Sequence, residues 1–217
     1  VDFWFRYLID LGNAGPHKGQ GGKFLVLPPG YQGEVPPGYF VARSPTFNNW
    51  LIWRGFPVNG DPKPAAEAIR QSARVYPLSE AALPHPPKFV ALSGRDFNTI
   101  HASDSSFFNE LNELIQEEPE DAYGPDTMGI FNAIGLVKGK PFEPDGNMKR
   151  ILSDSAAGGN AVARSIDFRN RLDGARIYPD RQWNTAFVGG SYQWLTPRGA
   201  RNLDAPTMFF YVATVYT

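Results

Sequence analysis

Residues 15–23 read GPHKGQGGK, with four glycines and His17, Lys18 and Lys23 in one short stretch. A phosphate cradle uses that mixture: glycines let the backbone come close, and lysines meet the negative charge. A Walker loop needs G-x-x-x-x-G-K-[ST] running into a helix. Here Gly22-Lys23 would require glycine at position 17, which is His17, and a hydroxyl at position 24, which is Phe24. The dinucleotide fingerprint G-x-G-x-x-G fails at the same place, because Gly19 and Gly21 lead to Phe24 where the third glycine belongs. The residues that follow, FLVLPPGY, read as a strand stopped by prolines, so no helix N-terminus faces a phosphate. Two readings stay open: a strand connection whose glycines take positive φ, or an anion nest made from Lys18, Lys23 and backbone N–H groups. Under either, ATP or NAD binding through this stretch is not expected.

Other residues capable of chemistry are sparse. There are no cysteines, which excludes disulfides, thiolate nucleophiles and cysteine-based zinc sites. The three histidines, His17, His85 and His101, show no H-x-x-H or H-x-x-x-H spacing, and no metal or other cofactor is expected. His101 and Asp104 stand three apart at the front of a helical pattern; Asp104 reads as a cap with a polar neighbour, or the pair serves as ligand contacts or as acid and base. Glu110, Glu113, Glu117, Glu118, Glu120 and Asp121 form an acidic run that reads as a solvated helix face. Ser191 lies in GGSYQ, which is not a nucleophile elbow. Five tryptophans and nine tyrosines exceed the needs of a small core. Of these, Trp183 and Tyr192 lie near glycine-rich loops where a ring can stack on a sugar. The candidate ligand-binding set is therefore His101, Asp104, Trp183 and Tyr192, and the candidate anion-binding pair is Lys18 and Lys23.

The elements that must position these residues fall into three zones. Through residue 60, FWFRYLI, KFLVLPPGY, GYFVARS and NWLIWRGFPV read as short strands in a hairpin pattern, with Pro28–Pro29 and Pro36–Pro37 at strand ends or sheet edges. Asp61 is placed to cap a helix whose first residue is Pro62, with Ala65, Ala68, Ile69 and Val75 inward and Pro77 as the stop. A short strand is expected over Phe89 to Leu92. From 104 to 117 the spacing of Phe107, Phe108, Leu111, Leu114 and Ile115 gives one helix face, capped by Ser103 or Asp104 and closed by Pro119. GPDTMGIFNAIGLV is a second helix. The third and longest starts in PDGNMKR, with Met148, Ile151, Leu152, Ser155, Gly159, Val162 and Ile166 along one stripe. Gly158 and Gly159 cost about 1 kcal/mol each against alanine and are expected to admit a closely packed neighbour. Beyond 170, ARIYPD and GGSYQWL look extended. DAPTMFFYVATVYT has Asp204 and Pro206 for a helix start, but Phe209, Phe210 and Val212 do not choose between helix and strand.

The bulk numbers narrow the classes. With 217 residues, 42% hydrophobic and 20% charged, the chain has a globular composition and the length of one large or two small domains. A net charge of −1 offers no surplus for nucleic-acid backbones. No apolar run reaches the roughly 18 residues of a membrane span.

Several phrases in order, DLGNAGPHKGQGGKFLVLPPGY, NGDPKP, FNTIHASD, QEEP, GLVKGKPFEPD and FVGGSYQWL, resemble bacterial proteins that carry paired DUF1254 and DUF1214 domains of unknown function. The resemblance implies an α+β chain: β-sandwich, jelly-roll-like strands at the N-terminal end, a helical middle and the start of a second β domain. It divides the chain at 1–92, 93–170 and 171–217 and reads it as an internal fragment of a longer protein. Periplasmic or secreted localisation is implied in the same way; no catalytic residue is. The expected partners are a second copy of the chain or the remainder of the same chain, which the apolar end segments VDFWFRYLI and MFFYVATVYT would pack against, and a carbohydrate ligand. The expected function is ligand binding or self-association by an exported β-sandwich protein; the alternative is a hydrolase or lyase acting on a polysaccharide or cell-envelope polymer.

Overall fold

A computed structural model describes residues 1–4, 6–96, 101–168, 176–181 and 183. In chain order its elements are strands β1 (Phe24–Leu27) and β2 (Phe40–Arg43), then helices α1 (Lys63–Ser72), α2 (Phe107–Glu117), α3 (Pro125–Ala133) and α4 (Gly146–Phe168). Single 3-10 turns lie at Leu78–Glu80 and Glu120–Tyr123. The chain divides into two compact units, Val1–Trp50 with Asn98–Thr217, and Leu51–Phe97.

β1 and β2 pair in parallel, with Phe24 opposite Phe40 and Leu27 opposite Arg43. The hairpin expectation is therefore corrected, and the reason lies in the connection. Residues 28–39 hold both Pro-Pro pairs, which keep the chain extended and cannot form a two-residue hairpin turn, and their length meets the roughly dozen residues a parallel crossover requires. Gly30 and Gly38 take φ of +71° and +87°, and Arg43 Nη1 reaches back to the Tyr31 carbonyl at 3.2 Å. Of the other segments expected as strands, 49–58 forms only isolated bridges, Asn49 with Asp2 and Val58 with Asp61, and the described residues of 3–9 and 89–92 form no strand. Among the described residues the sheet has two strands.

In the Leu51–Phe97 unit, Val58 and Asp61 exchange backbone hydrogen bonds of 2.9 and 3.0 Å around Asn59 and Gly60, whose φ values of 52° and 84° match the left-handed pair of a tight turn. Asp61 Oδ1 then accepts the Lys63 N–H at 3.0 Å, and Pro62 has helical dihedrals, as the sequence pattern requires.

The helical part of the first unit closes around Phe108, Ile115, Ala122, Tyr123, Met128, Leu136, Leu152 and Ala156. α2 begins where Asp104 Oδ1 accepts the Ser106 N–H at 2.9 Å and its hydroxyl at 2.5 Å. α3 ends in a Schellman motif: the Leu136 N–H bonds the Phe131 carbonyl, the Gly135 N–H bonds that of Asn132, and Gly135 sits at φ +88°. Leu136 is thereby turned fully inward. Trp4 lies against this core with its ring 4.8 Å from that of Tyr123, edge-on.

α4 buries Leu152 and Ala156 with Met148 partly covered, a narrower stripe than the sequence pattern gave. Ile151 and Val162 are exposed, as are Ser155 and Gly159. A Cβ added at Gly158 or Gly159 would meet nothing within 4 Å, so no described neighbour packs close there. The side chain of Ile166 and the segments from 184 onward, with Tyr192, lie outside the described residues.

On α2, Phe108 and Ile115 are buried while Glu113 and Glu117 face solvent. Phe108→Ala should lower unfolding free energy by about 3 kcal/mol or more, whereas Glu113→Ala should stay within about 0.5 kcal/mol. Denaturant titration of both variants checks the assignment; equal small losses would mean the face is wrong.

Candidate functional site

The acidic run contains one exception to its solvated reading. Glu118 is 0% exposed, whereas the other five carboxylates are exposed. It follows Phe108, Leu111 and Ile115 at helical spacing, so it continues the apolar stripe rather than the polar one; that phase was the signal in the sequence. Its carboxylate accepts the Phe47 N–H at 2.6 Å, the Asn48 N–H at 2.9 Å and the Asn48 side-chain amide at 2.8 Å. Thr46, also fully buried, shapes this turn by donating to the Asn48 carbonyl at 2.7 Å and accepting the Phe3 N–H at 3.1 Å.

The same helix end is held from its other side. Lys138 Nζ donates to the carbonyls of Ile115, Gln116 and Glu118 at 3.2, 2.8 and 2.6 Å. A cation on the last carbonyls satisfies orphan acceptors and complements the helix dipole. The N-terminal arm is tied nearby: Asp2, fully buried, accepts Arg6 Nε at 2.5 Å, and Arg6 Nη2 donates to the Ala122 carbonyl at 3.1 Å. Tyr123 donates its hydroxyl to the Leu114 carbonyl at 2.9 Å. Burial first, then the charges of Glu118 and Glu117, push its phenol far above the ordinary tyrosine range. These groups hydrogen-bond the turn, the arm and the helix end, so the junction is a structural centre.

The candidate residues proposed from sequence stand as follows. Asp104 spends its carboxylate on Ser106, and that side-chain hydrogen bond holds it below the usual carboxylate range. His101 donates Nδ1–H to the Ala102 carbonyl at 2.7 Å and sets its ring edge against Phe107, 5.7 Å between centroids. Trp183 is 67% exposed, and its carbonyl accepts the Ile177 N–H at 2.9 Å. In the glycine-rich loop the N–H groups of Lys18, Gln20 and Gly21 bond within the loop, to Gly15, the His17 carbonyl and the His17 ring. Lys18 and Lys23 are exposed, and Lys23 Nζ lies 6.0 Å from the Tyr39 ring centroid. Among the described residues, no three or more His, Asp or Glu side chains gather as a metal cage.

The Leu51–Phe97 unit exposes many apolar side chains. In the Leu51–Phe97 unit no described residue is buried. Gly55 packs so closely on α1 that a Cβ there would come 2.8 Å from Ala65, which keeps the 51–57 segment against the helix. The large side chains of that unit nevertheless face outward, with Phe56 82% and Leu83 83% exposed. Trp53, Val58, Val75, Phe89 and Val90 are exposed as well. Isolated surface hydrophobics are ordinary, but a concentration of this kind marks an interaction surface.

The described residues thus form a mixed α/β structure with a hydrogen-bonded polar junction and a unit whose large apolar side chains are exposed. Residues 1–77 match the family model described as "Protein of unknown function (DUF1254)". The match covers the glycine-rich loop, both strands and the turn that Glu118 holds. No curated protein matches. No described helix is long and apolar enough to cross a membrane.

Two outcomes follow for the junction. Glu118→Ala strips the acceptor from two backbone N–H groups and should cost about 3 kcal/mol, measured by chemical denaturation; a loss under about 0.5 kcal/mol would mean the turn re-forms without it. Because the Tyr123 phenol is raised, the folded state keeps a proton that the unfolded chain releases above about pH 10. Stability therefore falls as pH rises past that point. Tyr123→Phe should show a shallower decline above about pH 10; an identical slope would remove Tyr123 as its source.

Proposed function

We propose that the protein works by binding and self-association, through the apolar surface of the Leu51–Phe97 unit. The observation that carries this reading is that this unit buries none of its described side chains while Phe56 and Leu83 stand more than four-fifths exposed. Each large apolar side chain moved out of water stabilises an interface by about 1.5–3 kcal/mol. A second copy of the chain is always present at equal concentration, and isologous pairing covers the same surface on both. The chemistry elsewhere points the same way, since Glu118, Asp104 and Lys138 are engaged in holding the fold. The DUF1254 match and the phrases resembling DUF1214 proteins support the finer proposal of an exported, periplasmic or secreted protein whose strands complete a jelly-roll sandwich. A second reading, carbohydrate binding or cleavage, draws on the exposed indole of Trp183 as a stacking surface.

Sedimentation of the protein over a concentration series should show a reversible oligomer. Phe56→Ser combined with Leu83→Ser should weaken it about tenfold or more and lower hydrophobic-dye binding, with the circular dichroism unchanged. A monomer at all concentrations that binds no dye would overturn the assembly reading. Oligosaccharide-induced quenching lost in Trp183→Ala would put the second reading first.

A further inference from the structure

We propose that His17 is a pH-operated latch on the glycine-rich loop, a device independent of the assembly surface. The imidazole bridges the two ends of the loop. Its Nδ1 accepts the Gly21 N–H at 2.9 Å, and its Nε2 meets the Leu11 carbonyl. A backbone N–H can only donate and a carbonyl can only accept, so the two partners fix one species: the neutral ring with its proton on Nε2.

The loop is built around that ring. His17 lies edge-on to Phe24 at 5.5 Å and tilted to Phe40 at 6.4 Å between centroids, so it covers the first rung of the β1–β2 pair. Gly22 passes so near that a Cβ would come 2.7 Å from the Phe40 ring. Turn bonds from Gly15 to Gly12, Lys18 to Gly15 and Gln20 to His17 wind the rest. Lys18 and Gly21 both hold positive φ, 48° and 81°. A non-glycine residue in that region persists only while its surroundings over-determine it. The His17 ring ties position 21 back to position 11.

Protonation removes the latch. An imidazolium carries N–H on both nitrogens, so Nδ1 can no longer accept and faces the Gly21 N–H as a second donor. The groups packed on the ring from β1 and β2, Phe24 and Phe40, carry no charge to offset this. The charged residues of the loop segment are Asp10, Lys18 and Lys23, so cations outnumber the single carboxylate. The charged ring keeps its Nε2–H for the Leu11 carbonyl but sets two donors against each other at Gly21, which favours release of that end of the loop. Adding a proton to the ring therefore breaks the Gly21 bond, and removing it restores the bond. Opening frees the Gly21 N–H, the end of the loop that has lost its acceptor.

The test is nuclear magnetic resonance of the whole chain from about pH 8 to 5, the histidine window. Ring nitrogen shifts should report the Nε2–H tautomer at the alkaline end. The protection of the Gly21 amide against hydrogen exchange, corrected for intrinsic rates, should fall about tenfold on acidification, the loss of one hydrogen bond. His17→Asn keeps an acceptor near the Nδ1 position without a titrating group, and should make Gly21 protection independent of pH. His17→Phe, which keeps the ring but no acceptor, should leave Gly21 unprotected at both ends. An Nδ1–H tautomer, unchanged Gly21 protection in the native protein, or a pH response that survives in His17→Asn would each overturn the latch.

Discussion

The carboxylate of Glu118 is the constraint on which the first unit depends. An ionised carboxylate withdrawn from water is costly unless its lone pairs are filled, and here two backbone N–H groups and one side-chain amide fill them. This fixes the turn at 46–48 against the end of α2, some seventy residues later in sequence. Thr46 and Asn49 then hold the arm at Phe3 and Asp2. Lys138 closes the exposed carbonyls of the same helix end, and Gln116 joins 137 and 139 through both its amide groups. One helix terminus thus carries a buried anion on a turn from before it and a cation from after it. The core of Phe108, Ile115, Tyr123 and Leu136 sits beside this polar junction.

The second unit shows the opposite balance. Its backbone is well formed: a tight turn at Asn59–Gly60, a properly started α1 and a close glycine contact. Its apolar side chains are nonetheless left in water. Local hydrogen bonding and turn chemistry make elements, but they do not enclose volume, and a short segment with one helix has little surface to fold over itself. That difference separates a unit that encloses a core from one whose described side chains are all at least partly exposed.

The glycine-rich loop illustrates how similar composition serves different physics. Phosphate loops leave their N–H groups pointing into a concavity at a helix start. Here the N–H groups of Lys18, Gln20 and Gly21 turn back on the loop and on an imidazole, and a strand follows. The glycines serve conformation and clearance: Gly21 takes positive φ, and Gly22 gives room to Phe40. The match to a family without known function extends across this loop and adds no chemistry to it.

Sequence alone determined what is local. The start of α1 just after Asp61–Pro62, the Phe108 and Ile115 positions on the inner face of α2, and the length of α4 follow from periodicity and local turn chemistry within a few residues of chain, where interactions are short-ranged and repeat with the helix. Tertiary structure decided what needs a distant partner. Strand direction depended on a proline-rich crossover whose path no alternation pattern encodes, so β1 and β2 emerged parallel. The surface of α4 narrowed because only what packs on a helix selects among its apolar positions, and nothing described meets Gly158 or Gly159. Glu118 looked like one more solvated carboxylate because its type argued for water while its phase argued for the core. Three donors from residues 47 and 48 settled that conflict, and they reach it only once the chain has folded.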